Sequence, residues 1–581
     1  MSIDARPSPA RVSVAAAAAF PRWALFGLLA AYIAVGLIGR DPWYSDDLAG
    51  FGVMWTMAHG TAADWLLPNT VGLPLTEEGP LAFWLGALAI RAFGGVLGDA
   101  LAARLACVVW FALATAALWY ATYRLARRDE AQPVAFVFGG EATARDYARM
   151  LGDVAVLLFI GTLGVVLRMH ETTVEAAAVA LIATALYGIV RSLDRPTAGA
   201  ALAGAAIGAL ALARGPLPAV LLLLALGAAL WLVRRDPLRR RALVVFATAA
   251  VAVFGLWPLA ALVLPVELHG AYFAGWRAWV WRSAGLPGAG DLWWSVRNVA
   301  WAMWPLWPLA AWTLYAWRHS LRSPHVVVPA LAAAAMLLAL LIGEQTSRTY
   351  LSLIAAPLVV LAAFGATTLR RAAENAIDWF SIIIFSFFAF AVWAYYIAML
   401  AGTPPKMAAS IERQVPGFVA QVSPLPVVLA AAASVAWIAF VGWRVRRHPP
   451  MLWRGPALAG GGLTMLWVVL VALFQPAVDY SRSFGPMARE FALHVARIAD
   501  PGQCVEAHRL TPAHRAGFAF HGGFRFASST EGVDCPLALQ RDSLRSELDN
   551  DPPSGDWELV WESRWPARPD EVLRLLRRVH G

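Results

Sequence analysis

The chain has 581 residues, 59% of them hydrophobic and only 15% charged, a balance that excludes an ordinary soluble domain built around one core. Its net charge of +9 comes from 47 basic and 38 acidic residues. The arginines gather between apolar runs, so this excess reads as membrane topology, and no nucleic-acid partner is needed to explain it.

Taken in chain order, residues 1–21 carry Arg6 and Arg11 ahead of an Ala-rich run that enters an apolar segment with no processing site. That pattern predicts an uncleaved start-transfer anchor. Apolar windows fall near 22–38, 104–123, 154–168, 174–190, 197–212, 216–233 and 243–264, then near 299–317, 326–343, 349–368, 379–402, 425–443 and 457–474. Their lengths predict an all-α polytopic membrane protein with about thirteen transmembrane helices. Residues 81–97 are also apolar, but the stretch is short, Gly-rich and broken by Arg91, and it is expected to lie in the interface.

Basic clusters at Arg124/Arg127/Arg128, Arg191/Arg195, Arg234/Arg235/Arg239/Arg240/Arg241, Arg318/Arg322, Arg370/Arg371 and Arg444/Arg446/Arg447 test that count. With 81–97 excluded they all fall on one side, predicted to be cytoplasmic. The N-terminus is then inside, and residues 478–581 form an outer, periplasmic domain behind a membrane domain of residues 1–477, in a multi-pass protein of the bacterial inner membrane. The tail is expected to be a small α/β domain. Its last stretch, Pro569 to Val579, places Val572, Leu573, Leu575 and Leu576 at helical spacing. Of three cysteines, Cys107 lies in a predicted membrane helix, whereas Cys504 and Cys535 share the tail, where an oxidising compartment permits the disulfide expected between them.

Three outer segments exceed what a connection needs: 39–103, 265–298 and the tail. The first holds Trp43, Tyr44, Trp55, Trp65 and Trp84, and the second holds Trp276, Trp279, Trp281, Trp293 and Trp294. Such density suits an interfacial aromatic belt. The first segment also contains two acidic pairs, Asp46-Asp47 and Glu77-Glu78. Carboxylates at a membrane surface can act as a general base toward a hydroxyl, or together hold a divalent cation. Arg168, His170 and Glu171 end one helix, Arg214 sits between two, and Arg348 precedes another. Singly these are snorkelling anchors; together they could line an outward cavity where Arg holds a phosphate and a carboxylate handles a hydroxyl. Lys406, the one lysine, reads as a surface anchor.

These residues carry a family resemblance. Asp46-Asp47 after the first helix, Glu77-Glu78-Gly79-Pro80-Leu81 ending the first loop, Leu212-Ala213-Arg214-Gly215-Pro216, and Arg348-Thr349-Tyr350 followed by Pro357 occur in an order that resembles the ArnT/protein-O-mannosyltransferase group of GT-C membrane glycosyltransferases. The similarity spans roughly the first 370 residues, and an outer C-terminal domain also fits. The resemblance implies an inverting transfer of a sugar from a polyprenyl-phosphate carrier to a lipid A, envelope glycan or protein acceptor. By the same token it makes Asp46 the base or acceptor-orienting carboxylate, with Asp47 the alternative. Arg214 and Arg348 would stabilise the departing lipid phosphate, and Glu171 would stand near a family acidic position. Two departures stand out: Glu78 replaces the family's lysine, and Leu48-Ala49-Gly50 stands where an arginine is often found. Either Arg214, Arg348 and Arg40 compensate, or a cation held by Asp46, Asp47, Glu77 and Glu78 bridges to the phosphate, or the carrier or acceptor differs. No other cofactor is expected. A transporter or flippase is the alternative; it would place charges near helix centres, whereas these sit at outer ends and in loops.

Overall fold

Apolar sequence dictates helix here, because in hydrocarbon each backbone N–H and C=O must be satisfied within its own segment. The computed structural model describes residues 8–343, 350–447, 452–498, 504–527, 535–543, 556–565 and 568–579. Within these, each of the thirteen windows overlaps a helix, although those near 22–38, 154–168 and 299–317 also take in turns. Nine segments among the described residues are long and apolar enough to cross a membrane: Asp99–Ala126, Val174–Ser192, Pro196–Arg214, Pro216–Val233, Arg239–Ala261, Pro324–Ile342, Arg371–Ala401, Pro424–Arg447 and the one starting at Arg454. The other four windows coincide with the shorter Arg22–Ala34, Ala144–Ile160, Leu306–Ala316 and Leu351–Ala366. Val244, Val251 and Leu259 on one span, and Ile383, Phe387 and Phe390 on another, are exposed apolar side chains of the kind that face lipid. The protein is a multi-pass membrane protein with a small C-terminal sheet domain.

Helix ends position the charged residues. Pro196–Arg214 stops at Gly215, whose φ of +95° favours glycine, and Pro216 starts the next span at once. A Cβ on Gly215 would also sit 2.5 Å from the Trp279 ring. Arg214 is thereby fixed at a hairpin turn between two spans. The stretch 81–97 forms one helix, Leu81–Leu97, whose Arg91 donates from Nε to the Ala58 carbonyl at 2.9 Å and lies over the Trp65 ring. Ahead of it a two-residue hairpin joins β1 (Asn69–Thr70) to β2 (Leu73–Pro74) through Val71 and Gly72, both at positive φ, as the tight turn requires.

Among the described residues the tail carries four strands in the order β3-β4-β6-β5, with β3 (Val505–His508) parallel to β4 (Leu537–Ser543), and β5 (Trp557–Trp565) and β6 (Arg568–Arg578) antiparallel. The helix expected near 569–579 is instead β6. It lies between β4 and β5 with Val572, Leu573, Leu575 and Leu576 all buried, so its apolar run covers both faces of a central strand, and pairing overrides the helical spacing. Helix Arg454–Arg482 runs past position 478, so the chain turns into the tail at Ser483. Cys504 and Cys535, bonded to each other with Cα atoms 5.4 Å apart, tie the starts of β3 and β4. Between those strands, helix Pro512–Gly522 packs on helix Asp46–His59: Phe520 meets Phe51 at 4.8 Å, and Gly52 leaves the space where its Cβ would be 2.5 Å from that of Ala516.

At the other end of the bundle, buried Asp378 accepts from Arg444 Nε at 2.9 Å and Nη2 at 2.8 Å, and from Arg454 Nε at 2.6 Å, joining three helices. Removing one member of such a group strands the others without their counter-charge. Asp378→Ala is expected to destabilise the protein by about 3 kcal/mol, seen as a lower unfolding midpoint in detergent; an unchanged midpoint would count against this cluster as a support.

Candidate active site

Adjacent residues in the first turn of a helix point about 100° apart, and this separates Asp46 from Asp47. Asp47 is turned inward and is 1% exposed. Its Oδ2 accepts from Arg40 Nη2 at 2.9 Å and from the Trp43 N–H at 3.1 Å, while Oδ1 accepts from the Thr172 N–H at 2.7 Å and its hydroxyl at 2.9 Å. Arg104 Nη2 stands 3.8 Å away. Burial alone would raise the Asp47 pKa, but Arg40, Arg104 and the backbone N–H groups of Thr172 and Trp43 outweigh it and hold the carboxyl below its usual range.

Arg40, expected as a substitute phosphate contact, is committed elsewhere: besides Asp47 it donates to the His170 carbonyl at 2.8 Å and stacks on Trp43 at 4.3 Å, with almost no exposure. The loop is held from the far side as well. Trp43 Nε1 donates to Asp479 at 2.6 Å, the Tyr44 N–H to the Arg482 carbonyl at 3.1 Å, and Ser483 to Asp41 at 2.6 Å. Gly50 allows the close seat on the 170–172 turn, since a Cβ there would come within 2.0 Å of the Thr172 carbonyl oxygen.

Asp46 faces out, with 60% of its side chain exposed, and accepts from the Ser45 hydroxyl at 2.8 Å. Arg168 Nη1 lies 3.8 Å from it, 2.9 Å from Glu171 and 3.9 Å from Glu175. One guanidinium thus serves three carboxylates. Glu78 is brought to the same place by the 77–80 loop, which is clamped to the turn at Arg214. The Gly79 N–H donates to the Ala213 carbonyl at 3.1 Å, and a Cβ on Gly79 would come within 1.9 Å of the Leu212 carbonyl oxygen. Glu78 then meets Arg214 Nη1 at 3.3 Å, and Arg214 in turn lies over the Tyr350 ring at 4.7 Å.

Carboxylates outnumber guanidiniums in this cluster, and the surplus has a cost. Burial pushes Glu78 up to about 8; Arg214 opposes the shift, while Glu175, Glu77 and Asp46 add to it. Burial likewise pushes Glu171 up to about 8, opposed by Arg168 and reinforced by Asp47 and Glu175. Both acids are therefore neutral in the main at pH 7 and ionise as the pH passes 8. Glu77 is exposed on the loop.

Of the expected site residues, the structure gathers Asp46, Glu78, Glu171 and Arg214 and withdraws Asp47 into a structural role; Arg348 lies outside the described residues. Among the described residues no group of three or more His, Cys, Asp or Glu side chains is arranged to hold a metal ion. Asp47, with both oxygens occupied, cannot join Asp46, Glu77 and Glu78 around a cation. Sequence reasoning grouped Arg168 with Glu171 in an outward cavity but missed Glu175. Arg168 and Glu171 stand on the turn between Leu163–Val166 and Val174–Ser192, and Glu175 on the first turn of the second helix, so their meeting depends on the turn's path and no helical spacing signals it.

No protein-family model matches the sequence, and no curated protein matches it. Its fold does match solved structures. ArnT from Cupriavidus metallidurans bound to undecaprenyl phosphate aligns with a TM-score of 0.66 at 14% identity, over 95% of this chain and 98% of that one. The same protein in the apo state also gives 0.66 at 14%, over 95% and 97%. An Archaeoglobus fulgidus oligosaccharyltransferase reaches a TM-score of only 0.40 at 13% identity, over 87% of this chain and 64% of that one. The two ArnT alignments show that the chain has an ArnT-like fold.

The two adjacent aspartates should separate experimentally. Asp47→Asn removes the charge that Arg40 and Arg104 are buried against and is expected to destabilise the protein by about 3 kcal/mol, whereas Asp46→Asn should leave the unfolding midpoint in place. Equal midpoints for the two variants in thermal unfolding of detergent-solubilised protein would contradict this division of roles.

Proposed function

We propose that this chain is an inverting glycosyltransferase that moves a sugar from a polyprenyl-phosphate carrier to a lipid A, envelope glycan or protein acceptor at the periplasmic face of the bacterial inner membrane. The observation that carries the reading is the exposed Asp46 carboxylate beside Arg168, with the Glu78–Arg214 pair in the same cluster. A base in reach of solvent thus adjoins groups able to receive phosphate charge. The ArnT-like fold supports it, one of the two matching ArnT structures having been solved with undecaprenyl phosphate.

In the proposed reaction the acceptor hydroxyl oxygen attacks the anomeric carbon from the face opposite the carrier. The bond from that carbon to the phosphate oxygen breaks, its electron pair passes to the phosphate, and Asp46 takes the hydroxyl proton. Arg168, a quarter exposed, is the guanidinium open to the departing phosphate. Arg214 is buried against Glu78. A neutral Glu78 can yield Arg214 to the phosphate without leaving an ionised carboxylate beside the incoming anion, which accounts for glutamate at a position where the related motif has lysine. Arg348 is proposed as a further phosphate contact from its motif alone.

Two measurements test this. With labelled carrier sugar and reconstituted protein, Asp46→Asn should reduce transfer by roughly a hundredfold or more, in the range of lost general-base catalysis; full transfer would remove Asp46 from the mechanism. Since Glu78 and Glu171 gain negative charge as the pH rises through about 8, productive use of the anionic donor should fall above that pH. Glu78→Gln, neutral throughout, should move the alkaline limb upward, and an identical pH profile in that variant would exclude Glu78 as its source.

A further inference from the structure

Three spans that begin at the candidate active site end together at a second site. Val174–Ser192 starts beside Glu171 and Glu175, Pro216–Val233 starts next to Arg214, and Asp99–Ala126 carries Arg104 near its start. At about 1.5 Å per residue they run roughly 27–42 Å, enough to cross the hydrocarbon layer. Their far ends border a cavity of about 1110 Å³ lined by Arg128, Arg234, Arg235, Arg318, Arg322 and Trp317, among others. We propose that this cavity binds the phosphate headgroup of an anionic membrane lipid on the face opposite Asp46.

Charge accounting separates the arginines that hold the fold together from those left for a ligand. Arg234 is spent on Asp236, which it meets through both Nε and Nη2, and on the Ser192 carbonyl. Arg128 is shared between Glu130 at 3.6 Å and Asp194 at 3.4 Å. Arg235, Arg318 and Arg322 are exposed and have no carboxylate partner among the described residues; Arg318 only donates to the Tyr315 carbonyl and stacks on that ring at 4.5 Å. Arg235, Arg318 and Arg322 thus line one opening without an ion pair among the described residues, and with Arg128 and Arg234 they make five guanidiniums against the three carboxylates Asp129, Glu130 and Asp236. Ser323 and Pro324 add the positive N-terminal end of a 19-residue helix to the same wall.

The wall also holds an unused donor. Trp317 lines the cavity and is 1% exposed, yet its Nε1 has no hydrogen-bond partner among the described residues. Buried polar atoms of this kind are normally satisfied, so a small shift of the wall that opened this N–H to the cavity would let it donate to a ligand oxygen or water. Leu193, Leu232 and Val233, at the ends of two spans, line the cavity as well. Apolar side chains at the ends of two spans beside guanidiniums fit an amphiphile, its phosphate on the arginines and its chains along the spans, better than they fit free phosphate. Basic pockets between spans on the side where arginines concentrate recognise anionic headgroups by this chemistry.

The test is native mass spectrometry of the full-length detergent-solubilised protein with phosphatidylglycerol or phosphatidylcholine, with and without inorganic phosphate as competitor. The wild type is expected to retain phosphatidylglycerol over phosphatidylcholine. Arg235→Gln/Arg318→Gln/Arg322→Gln should weaken that retention at least about tenfold, at the scale of several basic contacts to an anionic lipid. The corresponding triple lysine variant should keep most of it, as should Arg277→Gln/Arg282→Gln on the active-site side. A triple glutamine variant that folds, judged by an unchanged unfolding midpoint, and still retains phosphatidylglycerol like the wild type would overturn the proposal. So would displacement of the lipid by inorganic phosphate at equal concentration, because that would make the ligand a free anion. Failure here leaves the transferase reading untouched, since none of these residues lies near Asp46.

Discussion

Burial of the Asp47 carboxylate is the constraint on which the half of the molecule that carries the candidate site depends. A charge taken out of water must be matched by donors fixed in place, and those donors come from distant parts of the chain: Arg40 from the end of the first apolar segment, Arg104 from a long span, and Thr172 from the turn between two helices. Satisfying one carboxylate therefore fixes the relative positions of three segments. Arg40 and Arg104 pass the constraint on, the first to the His170 carbonyl and the second to the Arg40 carbonyl at 2.7 Å, so backbone and side chains close into one network. Its members cannot be exchanged singly, because each loss leaves a buried charge unpaired.

The neighbouring acids work by the opposite logic. Asp46, one residue earlier and about 100° around the helix, escapes burial and keeps its oxygens available. Glu78, Glu171 and Glu175 then crowd around Asp46 and Arg168, and the excess of carboxylates is relieved by protonation where cations run short. Such a cluster favours the folded state less than a balanced one would. It lies next to the exposed Asp46, with the Asp47 network beneath it, and clusters of groups with displaced pKa values of this kind gather at functional sites.

Hydropathy alone located the nine helices long and apolar enough to cross a membrane among the described residues, since such segments are apolar whatever they pack against, and each of the other four windows overlaps a shorter helix. Both acidic pairs and Arg214 could also be found as charged residues at the ends of apolar runs. The difference between Asp46 and Asp47 was not available in the same way: two adjacent aspartates look alike until the helix phase and the partners contributed by residues 104 and 172 are known. The β6 strand failed for a related reason. A run of Val572, Leu573, Leu575 and Leu576 satisfies a helical pattern and a doubly covered strand equally well, and its neighbours β4 and β5 decide between them.

The division into a membrane part and a tail is weaker in space than in sequence. Helix Arg454–Arg482 leads directly out of the bundle, and its last turn is bonded to the 41–44 loop through Asp479, Arg482 and Ser483. Past that point, helix Pro512–Gly522 returns to cover the helix that begins at Asp46, with Arg515 donating to the Val71 carbonyl of the hairpin at 3.1 Å. The loop bearing Asp46 is thus held between the Asp47 network below and the tail above. Its position rests on both, because helix Pro512–Gly522, which lies between the disulfide-tied strands β3 and β4, packs directly on the helix that starts at Asp46.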